Sequence, residues 1–353
     1  MATRLFLHIG AMKSGTSFIQ NVLAGNKERL EQQGVLFPGR RWRDQINGVL
    51  DVIEHGGKDQ PPVAPDGPWR RLAAEVNAHP GDAIISMEFL GPRTPDKIAL
   101  IRDSFPETDL QVIFTVRDLA RSIPAMWQES VQNNWMATWQ EFLDAVRSDA
   151  GGPGPGAWFW RHQRISGMAS RWVGVVGREH FTLVTVPPKG APSGLLWERF
   201  ARACGLDPTA YDLEVLANPS IGAASAMVLR DLNEALAGLE LSKGAYHQFV
   251  KHALAKRGLV HRQGDEPVLG LDEEWVRERG ELEVTRLRKQ DLRVVGDLDE
   301  LLPRPVPGVH TDDIPADAQL AAAIDGLAHA IKQWSVSDRS KRREIRQLTK
   351  GTP

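Results

Sequence analysis

Continuous apolar runs at four places along the chain predict buried, parallel β-strands. A strand covered on both faces is apolar throughout, whereas a half-exposed strand alternates apolar and polar residues. The four runs occupy residues 5–9, 83–87, 110–116 and 181–186.

Helical patterns separate or follow these runs. They cover residues 17–33, 94–104, 118–133 and 158–175. Thr94 is typical of an N-cap, and the proline after it suits the first helical position. Strands that alternate with helices predict an α/β fold in which helices flank an open, mostly parallel sheet.

The second half of the chain has a different pattern. Residues 192–289 are largely helical in pattern, and the proline-rich residues 303–316 are predicted to be a linker. Residues 317–353 are predicted to form a C-terminal helix whose end is basic. We therefore expect an α/β domain over residues 1–302 and a helical C-terminal extension.

Charge and composition narrow the classes of function. The chain has 43 basic and 45 acidic residues, so its net charge of −2 gives no general basic surface for nucleic acid. Cys204 is the single cysteine, so no intrachain disulfide can form. No apolar stretch approaches the roughly 18 residues of a membrane span. We expect a cytoplasmic protein with no membrane span and no nucleic-acid partner.

The segment between the first strand and the first helix is the strongest functional signal. Its sequence over residues 10–17 is Gly-Ala-Met-Lys-Ser-Gly-Thr-Ser. Backbone N–H groups at the positive start of a helix bind anions, and glycines let the backbone curl closely around them. A lysine and hydroxyl groups add donors to the anion. The residues predicted to bind it are Gly10, Lys13, Ser14, Gly15, Thr16 and Ser17.

The position of the lysine bears on which anion is bound. In the P-loop of nucleotide triphosphatases, G-x-x-x-x-G-K-[ST], lysine directly follows the second glycine. Here Thr16 follows Gly15, and Lys13 comes two places before that glycine. The hydroxyl that would bind magnesium is therefore out of register. A P-loop kinase or nucleotide hydrolase stays an alternative.

The order Lys-Ser-Gly-Thr-Ser over residues 13–17 resembles the 5'-phosphosulfate-binding loop of the sulfotransferase family. That family's signature is close to Pro-Lys-Ser-Gly-Thr-Thr, and Met12 stands where many members have proline. The resemblance implies a P-loop-like fold of the bacterial type. It also implies transfer of a sulfuryl group from 3'-phosphoadenosine-5'-phosphosulfate (PAPS) to an acceptor hydroxyl or amine, without a metal.

The third strand and the helix after it resemble the family's 3'-phosphate-binding segment. The resemblance implies that Arg117, and with it Arg121, holds the 3'-phosphate, since a guanidinium can donate two parallel hydrogen bonds. Family members usually have a serine eight residues after the arginine. This chain has Ala125 there, so Arg121 or Ser122 is expected to substitute.

Glu88 follows the second strand and is the candidate general base. The carboxyl ends of parallel strands meet at one edge, so Lys13, Glu88 and Arg117 are expected to lie together, with Lys13 and Glu88 as catalytic residues. A capping or ion-pairing carboxylate is the alternative for Glu88. A histidine base also stays open, although His8 is expected to be a core residue and His162 to serve in packing.

The sequence leaves the acceptor and the oligomeric state open. A small molecule, a glycan and a lipid are all possible acceptors. The histidines and the cysteine lack metal-site spacing, so no metal site is expected. A further alternative is a non-catalytic nucleotide-binding protein on a decayed sulfotransferase scaffold, to which Ala125 points.

Overall fold

The computed structural model describes residues 2–57, 60–214, 221–262, 264 and 266–350, with side chains as far as Ser335. The strands in this part of the chain are β1 (Arg4–His8), β2 (Val35–Leu36), β3 (Asp82–Ser86), β4 (Asp109–Val116), β5 (Phe181–Thr185) and β6 (Arg293–Val295).

These strands form one sheet in the order β2-β3-β1-β4-β5-β6, and every neighbouring pair is parallel. β1 therefore lies between β3 and β4, with Leu7 opposite Ile85 on one side and Val112 on the other. The predicted open, parallel α/β sheet is confirmed. β2 and β6 were missed because they are too short to leave a hydrophobic pattern.

Helices connect the strands and continue after them. They are α1 (Thr16–Gly25), α2 (Lys27–Gln32), α3 (Trp42–Glu54), α4 (Pro68–Ala78), α5 (Pro95–Arg102), α6 (Leu119–Gln132), α7 (Trp139–Ser148), α8 (Pro155–Gln163), α9 (Ile165–Val176), α10 (Leu195–Cys204), α11 (Ala223–Leu236), α12 (Lys243–Ala245), α13 (Glu274–Arg288) and α14 (Ala316–Lys350). A π-helix, Tyr246–Ala255, follows α12, and a 3₁₀ turn, Glu88–Leu90, follows β3. α14 is the predicted helical extension.

Two predicted helices are each divided in two. The helix expected over residues 17–33 is interrupted at Asn26, which lies between α1 and α2 and whose side-chain amide donates to the carbonyl oxygens of Val22 and Asp212. Such side-chain bonds to the backbone compete with helix continuation. The helix expected over residues 158–175 is interrupted at Arg164, between α8 and α9.

Apolar side chains cover both faces of the sheet. One face packs against α3, α4, α5 and α9, with Trp69 and Trp172 among its fully buried residues. The other face packs against α1 and α10 and includes Phe6, Trp197 and Phe200. Burial on both faces is the reason why the central strands are mostly apolar.

The chain divides into two compact units. The first, which holds the sheet, comprises Met1–Ser122, Gly151–Asn218 and Glu273–Arg304. The second comprises Ile123–Ala150, Pro219–Asp272 and Pro305–Pro353. The domain boundaries expected from the sequence, at residues 302 and 316, differ from the boundaries of these units and stay a prediction.

The second unit is built mainly of helices, including α7, α11 and α14. In its core Tyr246 donates a hydrogen bond to Asn233 Oδ1 at 2.7 Å. Residues 303–316, predicted as a linker, contribute two isolated bridges, Leu271 with Val306 and Leu269 with Val309. The side chains of the predicted basic end, residues 339–346, lie outside the described part. None of the helices within the described residues is long and apolar enough to cross a membrane.

Candidate active site

The loop after β1 curls tightly, and its two glycines are sterically required. A Cβ on Gly10 would lie 2.2 Å from Thr115 Oγ1, and one on Gly15 would lie 2.3 Å from Leu196 Cδ2. Gly15 also has a φ of 80°, and Lys13 has a φ of 63°. Two left-handed residues in three positions turn the chain back on itself just before α1 begins at Thr16.

The start of α1 has features that suit an anion. Gly15 is the N-cap and offers no side chain, and the first helical turn carries N–H groups that no helical carbonyl can satisfy. Thr16 is buried and Ser17 half-buried in that turn. This geometry suits an anion, since a helix start also carries a partial positive charge.

Ser14 braces the loop from inside. Its hydroxyl donates to the carbonyl oxygen of Ala11 at 2.6 Å and lies 2.8 Å from Thr115 Oγ1. Its backbone N–H also donates to the Ala11 carbonyl, at 3.2 Å. The donors of Ser14 therefore hold the loop in shape, while its predicted contact with the anion stays a prediction.

A chain of hydrogen bonds runs from this loop across the sheet. His8 Nε2 lies 3.0 Å from Thr115 Oγ1, which also contacts Ser14, and His8 Nδ1 lies 2.7 Å from Ser86 Oγ. His8 is fully buried, and burial lowers the pKa of its imidazole to about 3. The expectation that His8 is a satisfied core residue is confirmed.

Two side chains from other elements hold the loop by its carbonyl oxygens. Arg117, just after β4, donates from Nη1 to the Lys13 carbonyl at 3.2 Å. Gln163, the last residue of α8, donates from Nε2 to the Met12 carbonyl at 2.7 Å. Both contacts turn the carbonyl oxygens toward protein donors.

Arg117 combines a buried charge with an unused donor. The pKa of its guanidinium is lowered to about 10, chiefly by burial and secondly by the neighbouring Arg121, while Asp118 opposes the shift. Its Nε is buried and has no hydrogen-bond partner among the described residues. A buried, unpaired N–H on a cation favours an anionic ligand.

Glu88 lies at the end of β3, on the other side of β1 from Arg117. Gln20 of α1 donates from Nε2 to Glu88 Oε2 at 3.0 Å and to the Ser86 carbonyl at 3.2 Å. Gln20 is buried, so the contact fixes the carboxylate against the helix that begins at the loop. The sequence did not single out Gln20 or Gln163, because a glutamine on a helix is usually a surface residue.

Arg121 is bound on several sides within the protein. Its guanidinium forms an ion pair with Asp118 through Nε, and it donates to the carbonyls of Pro187 at 2.8 Å and Val186 at 3.3 Å. These contacts tie the start of α6 to the end of β5. A direct role for Arg121 at the 3'-phosphate stays a prediction.

Ser122 differs from Arg121 in having an unused group. It is fully buried, and its hydroxyl has no hydrogen-bond partner among the described residues. Ala125, at the position where the family usually has serine, is half-buried and has no side-chain donor. Near the start of α6, the hydroxyl of Ser122, and not residue 125, is therefore available to bind a ligand oxygen.

His162 lies on α8, next to Gln163. Its Nδ1 donates to the Trp158 carbonyl at 2.8 Å, which leaves Nε2 as the acceptor. The pKa of His162 is lowered to about 4, chiefly by burial and also by the cations Arg161 and Arg93, while the hydrogen bond to the Trp158 carbonyl opposes the shift. The imidazole is therefore neutral at pH 7.

No group of three or more potential metal ligands occurs among the described side chains. A depression of about 580 Å³ lies at the amino end of β4, lined in part by Arg102, Phe105 and His180. Ligands of open parallel sheets bind at the carboxyl ends of the strands, so the loop edge is the candidate site. That edge brings together the loop, Glu88 and Arg117.

Neither a protein-family model nor a curated protein matches the chain. Among solved structures, a sulfotransferase from Alicyclobacillus acidocaldarius is similar to it, with 15% sequence identity and a TM-score of 0.42. The match covers 71% of this chain and 96% of that chain. At this level of similarity, the activity of that protein does not carry over to this one.

Proposed function

We propose that the protein is a sulfotransferase that moves a sulfuryl group from PAPS to a hydroxyl or amine of an acceptor. The observation that carries the proposal is the hydrogen bond from Arg117 to the Lys13 carbonyl. It supports a single site in which the curled loop and the buried arginine face the two ends of one bisphosphorylated nucleotide.

The residues present suit such a donor. A tightly curled loop with Gly10 and Gly15, placed at the start of a helix, suits a phosphate bound close to the backbone N–H groups. The unpartnered Nε of Arg117 and hydroxyl of Ser122 suit a second phosphate. The contacts of Arg121 with Asp118 favour an indirect role for it, which is to orient this segment.

Each catalytic residue has one task in the reaction. PAPS supplies a sulfuryl group on a good leaving group. The acceptor oxygen forms a bond to sulfur while the bond from sulfur to the bridging phosphate oxygen breaks, and 3',5'-bisphosphoadenosine leaves. Lys13 stabilises the negative charge that develops on the bridging oxygen, and Glu88 takes the proton of the acceptor. The loop positions the reactants in line.

Calorimetric titration with nucleotides tests the proposal. We expect 3',5'-bisphosphoadenosine to bind roughly tenfold or more tightly than 5'-AMP, which lacks the 3'-phosphate that a buried arginine would recognise. We expect ATP with magnesium to bind no better than 5'-AMP. Tighter ATP binding, or magnesium-dependent ATP hydrolysis, would contradict the proposal and favour a nucleotide hydrolase.

Transfer itself is measured with labelled PAPS and a panel of small-molecule, glycan and lipid acceptors. Labelled product from at least one acceptor class is expected. Tight binding of 3',5'-bisphosphoadenosine without any transfer would contradict the enzymatic part and support a non-catalytic nucleotide-binding protein.

A further inference from the structure

Three arginines from different elements approach one another beside the segment that follows β3. Arg93 follows the 3₁₀ turn after β3, Arg161 lies on α8, and Arg171 lies on α9. We call Arg93, Arg161 and Arg171 the arginine cluster. Arg171 donates from Nε to the carbonyl of Arg93 at 2.9 Å, so α9 holds the backbone of the segment that carries Arg93.

Arg93, which is half-buried, carries the unpaired donor of the cluster. Its Nε is buried and has no hydrogen-bond partner among the described residues. The pKa of its guanidinium is lowered to about 10, chiefly by burial and also by the two neighbouring cations Arg161 and Arg171. An unpaired, buried donor beside like charges is unfavourable unless an anion compensates it.

The arginine cluster is linked to the proposed base through the backbone. Arg93 is in the same short segment as Glu88, where the Gly91 N–H donates to the Glu88 carbonyl at 3.2 Å. Trp172 of α9 donates from Nε1 to the Gly91 carbonyl at 3.0 Å, which fixes this segment.

The cluster also adjoins the anion-binding loop through α8. Gln163, two residues after Arg161, holds the Met12 carbonyl. Arg93 follows β3, whereas Arg117 follows β4, and these strands flank β1 on opposite sides. The position of Arg93 therefore suits the acceptor side of the loop, while Arg117 suits the donor.

We propose that the arginine cluster binds an anionic oxygen group of the acceptor, such as a carboxylate, sulfate or phosphate, and so brings the acceptor hydroxyl to Glu88. The inference rests on the proposed function, because it assigns the cluster to the acceptor of the transfer. Guanidinium groups suit such anions because each can donate two parallel hydrogen bonds.

Matched probes test the charge requirement directly. The protein with 3',5'-bisphosphoadenosine bound is titrated with glucose, glucuronate, glucose 6-phosphate and glucose 6-sulfate, and in a second set with phenol and 4-hydroxybenzoate. We expect an anionic member of at least one set to bind about tenfold or more tightly than its neutral parent. The preferred member distinguishes carboxylate, phosphate and sulfate. If no anionic member binds more tightly than its parent, the inference is wrong.

Substitutions assign the binding to the cluster. Arg93→Gln and Arg171→Gln are expected to weaken the preferred anionic probe about tenfold or more and to leave the affinity for 3',5'-bisphosphoadenosine unchanged. Arg161 is exposed, so weaker probe binding in Arg161→Gln would not result from a folding defect. Arg70→Gln, at an exposed residue of α4, is the control and should leave both affinities unchanged.

The nucleotide titration separates the two hypotheses. If 3',5'-bisphosphoadenosine does not bind the wild-type protein, the proposed function is wrong, whatever the anionic probes do. If the nucleotide binds but the cluster variants weaken it as much as they weaken the probes, the cluster belongs to the donor site, and only the acceptor inference is overturned.

Discussion

Gln20 donates a hydrogen bond to the carboxylate of Glu88 at 3.0 Å. Gln20 lies one helical turn after Thr16, the first residue of α1, so the helix whose start forms the anion loop also holds the proposed base. The same amide donates to the Ser86 carbonyl. One helix thus couples the position of the loop to that of the proposed base, which suits the proposed in-line transfer.

Replacing Glu88 by glutamine should remove the base without disturbing this contact. A glutamine side chain keeps an oxygen that can accept from Gln20 but cannot take a proton from the acceptor. We expect kcat to fall about 10²- to 10⁴-fold, with little change in the affinity for 3',5'-bisphosphoadenosine.

Steady-state kinetics with labelled PAPS and calorimetry measure the two quantities for Glu88→Gln. Gln20→Leu is the comparison variant, because it removes the contact that positions the carboxylate and leaves the carboxylate itself. A smaller fall in kcat is expected for Gln20→Leu. A Glu88→Gln variant that turns over at the wild-type rate would show that another group accepts the proton.

Lys13→Met should separate charge stabilisation from binding. Methionine has a similar length but no charge, and it tolerates the left-handed backbone of residue 13 no worse than lysine. We expect kcat to fall on the order of 10²-fold, as when other charge-stabilising donors are removed, and nucleotide affinity to fall less. Lys189→Met, at an exposed turn position, is the control. Loss of affinity without loss of kcat would mean that Lys13 only binds.

Arg117 should determine the preference for a 3'-phosphate. The ratio of the affinities for 3',5'-bisphosphoadenosine and 5'-AMP isolates this interaction, because both ligands have the 5'-phosphate. Arg117→Lys keeps the positive charge but loses the guanidinium that can donate two parallel hydrogen bonds. We expect it to reduce the ratio about tenfold, and Arg117→Gln to reduce the ratio further. Arg202→Lys, at a side chain 65% exposed, is the control. An unchanged ratio would place the 3'-phosphate elsewhere.

The central strands and the site edge could be predicted from sequence for physical reasons. β1, β3, β4 and β5 are covered on both faces and so are mostly apolar. Parallel strands bring their carboxyl ends together, so the sequence alone predicts Lys13, Glu88 and Arg117 at one edge of the sheet.

Other features depend on contacts that no local pattern reveals. The break at Asn26 depends on an amide that reaches Asp212, which is distant in sequence. Gln163 acts at the loop only because α8 brings it to the Met12 carbonyl. The sequence does not distinguish Arg93 from an ordinary loop arginine, because its buried Nε and its cationic neighbours result from the fold.

Removing Arg121 should destabilise the protein. Its partner Asp118 has a side chain only 6% exposed, and loss of the guanidinium would leave that carboxylate buried without its cation. We expect Arg121→Met to lower the free energy of unfolding by about 3–5 kcal/mol. The double variant Arg121→Met/Asp118→Asn should recover part of this loss, because it also removes the buried charge. Urea denaturation measures the stability of both variants. Equal stability of Arg121→Met and wild type would contradict the view that Arg121 stabilises the fold by joining the start of α6 to the end of β5.

His8 should make the protein less stable in acid. Its folded-state pKa of about 3 lies below the ordinary value of 6.5, because burial disfavours the charged imidazole. Between these values the unfolded chain binds a proton that the folded one does not, so stability falls as pH falls from about 6.5 toward 3. The slope from this group approaches about 1.4 kcal/mol per pH unit.

Urea denaturation at a series of pH values between 7 and 4 checks this dependence in His8→Gln, which has no titrating ring. We expect the variant to be less stable at pH 7 and its stability to fall less steeply as pH falls. His162, whose pKa is lowered to about 4, acts in the same direction and stays in both proteins. Ser86→Ala is the matched control: it removes the hydroxyl that contacts Nδ1 of His8 but keeps the imidazole, so it should lower stability and leave the steep dependence. Equal slopes for His8→Gln and wild type would mean that the imidazole is protonated in the folded protein, and therefore that its hydrogen bonds to Ser86 and Thr115 rearrange in acid.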